Sequence, residues 1–214
     1  MNKAKIIDLS HNNADVQFGQ AKEDGILAVF FKSSQGSSYK DPTLVSRLNR
    51  ARSVGLLVGV YHFIDGSAYG HQCDNFDEAI SGLGPVLPVL DFEHNPSGAD
   101  ATADICGDMV DTLLDAWERH PGIYGSDYLA RLNSPEPHGN ALDCWLWEAR
   151  YGTHAPVPPP PFKNWTLWQY SENGPLTLGG TVRTDIDLSV YNPAVFTDDA
   201  AFTAWWNAHT VTVS

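Results

Sequence analysis

The chain has 214 residues, of which 43% are hydrophobic and 11% aromatic, enough to bury the core of one domain. Its 13 basic and 26 acidic residues give a net charge of −13, which excludes the positive surface that nucleic acid or an anionic membrane attracts. No apolar run approaches the roughly 20 residues of a membrane span, and no signal peptide is visible at the start. We therefore expect one domain over 1–214 that binds neither nucleic acid nor membrane.

Three cysteines, Cys73, Cys106 and Cys144, lie far apart in the sequence. Their odd number and their spacing argue against a disulfide framework and against a zinc site. We expect buried reduced thiols, with one disulfide and one free thiol as the alternative.

Eight short apolar runs, rich in β-branched and aromatic residues, recur along the chain. Runs of this length and composition are typical of strands that are buried on both faces. The predicted strands are 5–10, 27–33, 56–63, 86–93, 122–126, 144–149, 166–171 and 185–191.

Helical patterns lie between the early strands and near the end of the chain. Asp41 and Pro42 have the residue types of an N-cap and a first helical position, and Pro121 stops a long amphipathic pattern. The predicted helices are 14–24, 41–54, 68–81, 103–119 and 200–208, the last of which is followed by a short tail.

The spacing between successive strands shrinks along the chain. Corresponding strand positions are 24, 30, 29, 33, 23, 21 and 19 residues apart, and the last three steps leave little room for a crossover helix. Eight strands with helical crossovers therefore predict an α/β fold with a single closed barrel of parallel strands, and the spacing predicts an irregular barrel whose final helices are short or missing. The proline-rich stretch 155–162 is expected to be extended. The barrel core should span about 5–192, with the closing helix and tail in 193–214.

Polar residues at the carboxyl ends of barrel strands are the candidates for catalysis. This rule collects Asp8, Tyr61, His62, Asp91, Glu93, Tyr124, Glu148, Gln169, Asp185 and Asp187. Among them, Asp91 and Glu93 end an apolar strand two residues apart, so their side chains should point to the same face. Mutual repulsion would raise the pKa of at least one carboxyl, as a general acid requires, and glycoside hydrolysis needs such a pair. A strand that simply ends in solvated acids is the alternative.

Asp8 and Asp187 end the first and eighth predicted strands, which become neighbours when the barrel closes. Each taken alone could equally be a turn or N-cap acid. Trp147 and Trp168 lie near strand ends, where their rings could stack on a sugar, whereas His62 has the position of a buried barrel histidine. No metal-ligand spacing, phosphate loop or serine-hydrolase motif is present, so we expect no metal and no cofactor.

In order along the chain, the motifs resemble those of glycoside hydrolase family 25, the N-acetylmuramidase lysozymes. The matching segments are IIDLSH (6–11), KSSQGSSYKDP (32–42), GLLVGVYHF (55–63), LPVLDFE (87–93), PGIYGS (121–126), LWEARYG (146–152), WTLWQYS (165–171) and DIDLSVYN (185–192). The resemblance covers nearly the whole chain. It implies an irregular (β/α)5(β)3 barrel that resembles a TIM barrel.

The resemblance also implies a substrate and a set of site residues. The substrate would be bacterial peptidoglycan, cut at the β-1,4 bond between N-acetylmuramic acid and N-acetylglucosamine. By position, Glu93 matches the general acid, Asp91 its partner carboxylate, and Asp8 and Asp187 the other two acids. Positions that line the groove are matched by Tyr61, Tyr124, Trp147, Tyr151 and Gln169. Where the family commonly has Thr-Glu and Asn, this chain has Ser34-Gln35 and Ser189, which we expect at the rim of the groove.

The close spacing of Asp91 and Glu93 favours net retention, with a slight preference for attack by the substrate's own acetamido oxygen over attack by a carboxylate. Two rival functions remain open. One is hydrolysis of another N-acetylated glycan such as chitin, and the other is sugar binding without catalysis. The expected enzyme is a monomer that acts on the cell wall, outside the cell or in the periplasm.

Overall fold

A computed structural model of the chain describes residues 4–133, 139–160 and 162–214. Eight strands form a closed barrel in the order β1-β2-β4-β5-β6-β7-β8-β11, which confirms the predicted fold class. Their bounds are β1 Ile6–Leu9, β2 Ala28–Gln35, β4 Leu57–Phe63, β5 Leu87–Asp91, β6 Gly122–Gly125, β7 Trp145–Ala149, β8 Leu167–Ser171 and β11 Asp187–Tyr191. Three short strands lie outside the barrel wall: β3 Tyr39–Lys40, β9 Leu176–Leu178 and β10 Thr181–Arg183.

Four α-helices connect the early barrel strands, as the strand spacing predicted. They are α1 Phe18–Glu23, α2 Leu44–Ser53, α3 Tyr69–Ile80 and α4 Ala103–Trp117. Between β6 and β7 the described residues form only 3-10 turns, at Asp127–Asn133 and Gly139–Leu142. Among the described residues, no helix lies between β7 and β8 or between β8 and β11. The final helix is α5 Asp199–Ala208. No helix in the described part of the chain is both long and apolar enough to cross a membrane.

The direction of the last barrel strand differs from the sequence prediction. All barrel strand pairs from β1 through β8 are parallel, whereas β11 is antiparallel to both β8 and β1. Asp187 therefore begins its strand instead of ending it. It still lies opposite Asp8, because a reversed strand brings its amino end to the edge where the parallel strands have their carboxyl ends.

Aromatic side chains fill the interior of the barrel and α5 closes its lower end. The Phe30 ring stacks on the Trp147 ring at 4.4 Å and lies 5.0 Å from the ring of Trp206 on α5. Trp145, at the start of β7, contacts Trp205 of α5 edge to face. The amino ends of the parallel strands are thus plugged, and the opposite end is left open as a cleft.

Some local predictions were wrong at the ends of elements. The N-cap of α2 is Thr43, not Asp41, because the Asp41 side chain accepts hydrogen bonds from the Thr43 backbone N–H and hydroxyl and so forms a turn before the helix. Helix α1 begins at Phe18 instead of residue 14. The expected tail is docked, since the backbone of Val211 exchanges two hydrogen bonds with Val86.

Two other predictions hold in the described residues. Cys73, Cys106 and Cys144 are buried free thiols. Residues 155–160 contain neither helix nor strand, whereas Pro161, in the same proline-rich stretch, lies outside the described residues.

Gly59 on β4 makes room for the interior aromatic layer, because a Cβ atom there would overlap the Phe30 ring. We expect Gly59→Ala to lower the free energy of unfolding by about 1–3 kcal/mol, the usual cost of overpacking a filled core. Gly70→Ala on α3 is the matched control, since nothing lies within 4 Å of its new methyl group. Urea unfolding of both variants measures the difference, and equal stabilities would contradict this account of the barrel interior.

Candidate active site

A cleft with about 370 Å³ of empty space opens at the carboxyl ends of the parallel strands. It is lined by all four acids that the sequence singled out and by four of the five predicted groove residues. The lining residues are Asp8, Tyr61, Asp91, Glu93, Tyr124, Trp147, Gln169 and Asp187. They come from β1, β4, β5, β6, β7, β8 and β11 and the segment directly after β5, so barrel closure brings together residues far apart in the sequence.

Asp8 and Asp187 form a hydrogen-bonded pair of carboxyl groups on adjacent strands. Burial raises the pKa of Asp8 to about 6. Burial, the charge of Asp8 and the hydrogen bond between them raise the pKa of Asp187 to about 9. Asp187 therefore holds the proton at neutral pH and donates it to the Asp8 carboxylate.

A second donor to Asp8 fixes the orientation of Gln169. Its side-chain Nε2 donates to Asp8 Oδ2 at 3.0 Å, and its Oε1 accepts from the Tyr124 hydroxyl at 2.8 Å. All three residues are buried or nearly so. Because each end of the amide has its own partner, the amide cannot turn over without breaking both hydrogen bonds.

Asp91 and Glu93 lie side by side on the opposite wall of the cleft. Burial first, and repulsion from Glu93 second, raise the pKa of Asp91 well above its usual range. Burial also raises the pKa of Glu93, with Asp187 adding repulsion. Repulsion within the Asp91–Glu93 pair thus raises the pKa of at least one member, as the sequence predicted. Asp91 Oδ1 is buried and accepts no hydrogen bond from the described residues. This pair therefore favours the protonated form more than free carboxyls do, and Asp91 Oδ1 is free to receive a donor.

Aromatic residues complete the walls of the cleft. Trp147 and Tyr124 pack edge to face at 4.9 Å, and the Trp147 indole N–H donates to Ser189 Oγ. Burial and the nearby carboxylates raise the pKa of Tyr61 well above its usual range, so this phenol stays neutral. Tyr151 is 52% exposed and does not line the cleft itself. It borders an adjoining hollow that shares Glu93 with the cleft.

Four other residues that the sequence singled out lie elsewhere. His62 is buried against Ser34 at 2.8 Å, and burial lowers the pKa of His62 to about 4, as expected of a barrel histidine. Glu148 alternates with Trp147 along β7 and is buried beside Arg150. Asp185 forms an ion pair with Arg183. Trp168 lines a groove on the outer surface of the barrel wall.

Lys32 on β2 is the functional candidate that the sequence reasoning missed. It lies across from Tyr61 in the sheet register, and its charge acts on both Asp91 and Glu93. The available signal was a lysine in the second half of a barrel strand, whereas the chemistry expected of the cleft was that of carboxylates and aromatic rings.

The departures from the family pattern do not all lie at the rim. Ser34 is fully buried against His62, and Ser189 is fully buried and accepts the Trp147 N–H. Gln35 is half-buried, and its side-chain oxygen accepts a hydrogen bond from the Lys32 ammonium. The expectation of rim positions was therefore wrong for both serines. Within the described residues, no group of three or more histidine, cysteine or acidic side chains is arranged to hold a metal ion.

Comparison with known proteins places this geometry in a family. The family model "Glycosyl hydrolases family 25" matches residues 7–177. Lysozyme M1 of Streptomyces globisporus is 30% identical over 204 residues, which cover 87% of this chain and 67% of that protein. The autolytic lysozyme of Clostridium acetobutylicum is 27% identical, and this chain spans about half of its length, 51%.

Solved structures share the fold over nearly the whole chain. The bacterial lysozyme from Streptomyces coelicolor superposes with a TM-score of 0.81 at 27% identity, covering 97% of this chain and 99% of that one. A family GH25 lysozyme from Aspergillus fumigatus gives a TM-score of 0.70 at 29% identity, covering 88% and 93%. The chain belongs to glycosyl hydrolases family 25 and is a glycoside hydrolase.

Proposed function

We infer that this chain, as a lysozyme of its family, hydrolyses bacterial peptidoglycan, and we propose that Glu93 is its general acid. The bond cut is the β-1,4 linkage between N-acetylmuramic acid and N-acetylglucosamine. The observation that carries the proposal is the convergence of four carboxyl groups, in two pairs, on one aromatic-walled cleft. Glycoside hydrolysis requires a carboxylic acid to protonate the leaving oxygen and a carboxylate to stabilise the positive charge that develops on the sugar.

Glu93 has the properties of the proton donor. It is half-buried at the mouth of the cleft, and burial together with the charge of Asp187 raises the pKa of Glu93. A carboxyl with a raised pKa keeps its proton nearer to neutral pH, where it can deliver it to the glycosidic oxygen as the bond breaks.

Asp91 is positioned to assist the second half of the reaction. Its free, buried Oδ1 can accept the N–H of the substrate's acetamido group. That hydrogen bond favours the ionised form of Asp91 and turns the acetamido oxygen towards the anomeric carbon. We therefore favour net retention through acetamido attack, with Asp91 as the orienting and charge-stabilising carboxylate.

Asp8 and Asp187 serve as a fixed source of negative charge on the other wall. Asp187 keeps one proton between the two groups, so Asp8 remains a carboxylate at neutral pH. A carboxylate in a cleft of low dielectric stabilises an oxocarbenium-like transition state more strongly than one in water.

Five residues are proposed to bind the sugar rings. Trp147, Tyr124 and Tyr61 line the cleft, where Gln169 is held by its two hydrogen bonds. Tyr151 extends the contact surface into the adjoining hollow. We also propose that the enzyme acts as a monomer on the cell wall, outside the cell or in the periplasm.

Glu93→Gln removes the acidic proton and keeps the shape of the side chain. We expect it to lower the release of muropeptides from purified peptidoglycan by at least about 100-fold, the low end for loss of a general acid. Mass spectrometry after borohydride reduction identifies the fragments, which should end in reduced N-acetylmuramic acid. Glu23→Gln, on the exposed end of α1 far from the cleft, should leave the release unchanged.

Two results would argue against this assignment. Full activity of Glu93→Gln would remove Glu93 from the mechanism. Reduced N-acetylglucosamine at the fragment ends, or degradation of chitin in preference to peptidoglycan, would identify a different bond or a different glycan.

Retention predicts the configuration of the first product. Proton NMR of a fresh digest should show the β-anomer of the new reducing sugar before it equilibrates with the α-anomer in water. An α-anomer at the earliest time point would mean that water attacks directly, and the acetamido route would then be abandoned.

Asp187→Asn tests the proton assigned to the pair of Asp8 and Asp187. The pKa of Asp187 rises from 3.8 in the unfolded chain to about 9, so ionisation opposes folding increasingly as the pH rises through that interval. An asparagine amide can donate to Asp8 without ionising. We expect the variant to match wild type in urea unfolding near pH 4 and to be more stable by about 1–2 kcal/mol at pH 7. Lower stability at pH 7 would contradict the assignment.

A further inference from the structure

We propose that Lys32 is a positioning residue of this reaction. Its ammonium is held by the neutral side chain of Gln35 and by two aromatic rings. In that position it ensures that Asp91 and Glu93 together carry one proton and not two. The inference rests on the proposed function, because it concerns how the same two acids divide their tasks. It answers a difficulty that the cleft itself raises. Two adjacent buried carboxyls would tend to take up a proton each, which would leave no carboxylate to orient the acetamido group.

The position of Lys32 follows from the strand pattern. On β2, Lys32 shares a face with Phe30, whose ring lies inside the barrel, so the lysine stem also points inwards. The strand register shifts between Lys32 and Ser34, where an extra residue bulges β2 against β4. Bulges of this kind redirect side chains next to active sites.

Three contacts hold the ammonium group. Lys32 Nζ donates to Gln35 Oε1 at 2.6 Å and lies 5.2 Å and 5.6 Å from the ring centroids of Phe63 and Tyr39. Phe63 is opposite Asp91 in the register of β4 and β5, so this cradle lies directly beside the acid pair. The rings and the amide fix the position of the charge without cancelling it.

The neutrality of Gln35 is the decisive detail. None of the ion pairs among the described residues uses Lys32, and its closest acceptor is an uncharged amide. Its charge therefore acts on the carboxyls around it, with Asp91 first, then Asp41 and Glu93. Asp41 already accepts hydrogen bonds from His11 and Thr43, so the acid pair is the group whose protonation Lys32 can change.

Other titratable groups face the same region and remain unchanged in the experiment below. Around Lys32 they are Tyr39, Asp41, Tyr61 and His62, and around the acid pair they are Asp8, Tyr61, Tyr124, Asp187 and His94.

Lys32→Met tests the charge directly. A positive charge lowers the pKa of both acids, so its removal raises both, and both limbs of the kcat/KM profile against pH should move to higher pH by about one unit. Lys32→Arg keeps the charge and should restore the wild-type profile. Lys40→Met removes an exposed lysine of the neighbouring strand β3, which pairs with Glu78 of α3. It is the matched control and should not move either limb.

Gln35→Glu tests the same idea with Lys32 left in place. A carboxylate at the position of Gln35 Oε1 would pair with the ammonium and reduce its effect on Asp91 and Glu93. We expect a shift in the same direction as in Lys32→Met but smaller. This variant decides the question if Lys32→Met does not fold.

The outcomes separate this inference from the proposed function. If wild type cleaves peptidoglycan but the Lys32→Met and Gln35→Glu profiles superimpose on its own, Lys32 is not a positioning residue and the proposed function stands. An equal loss of activity at every pH would indicate a packing role and would also overturn the inference. Carbon-13 NMR titration of the Asp91 and Glu93 carboxyls gives the same readout without substrate, so the inference is tested even if the proposed function fails.

Discussion

The burial of four carboxyl groups in one barrel mouth is the constraint on which the rest of this structure depends. Taking such groups out of water opposes their ionisation, and placing them together adds repulsion. The chain meets this cost by dividing them into two pairs on opposite walls. Asp8 and Asp187 share a proton through a direct hydrogen bond, whereas Asp91 and Glu93 lie beside a lysine. The cleft thus contains both a carboxylate and a carboxylic acid at neutral pH, which is the combination that glycoside hydrolysis uses.

Rigid packing below the cleft holds the four carboxyl groups in fixed positions. The interior aromatic layer and the plug formed by α5 leave the lower barrel without room for movement, since even a methyl group at Gly59 would meet the Phe30 ring. Above this layer the inward side chains become polar within one or two residues along most barrel strands, as at Asp8, Lys32 and Asp91. The boundary between the two layers passes through Trp147, which stacks on Phe30 below and lines the cleft above. The residues that stabilise the barrel therefore lie in its lower half, and the residues proposed to act on the substrate lie at its upper end.

The sequence was sufficient to predict the eight barrel strands, because strands buried on both faces appear as short apolar runs whatever their neighbours. It could not predict the direction of β11, because the apolar pattern of a strand is the same in parallel and antiparallel pairing. Only the closure of the barrel determines the direction of this strand. Trp168 and Gln169 were both considered for the cleft, although adjacent strand residues face opposite sides and one had to point outwards. Lys32 was missed although its alternation with Phe30 places it on the inward face of β2, because the chemistry expected of the cleft was that of carboxylates and aromatic rings.

The locked amide of Gln169 has a further consequence for how protons move in the cleft. Tyr124, Gln169 and Asp8 form a continuous chain of hydrogen bonds, but an amide has no acidic proton to give up at ordinary pH. The chain therefore transmits polarisation while it blocks the passage of a proton. The tyrosine hydroxyl at one end stays chemically isolated from the aspartates at the other. Tyr124 therefore cannot relay a proton to Asp8 through this chain, and along it the aspartate pair responds to the phenol only through the electric field.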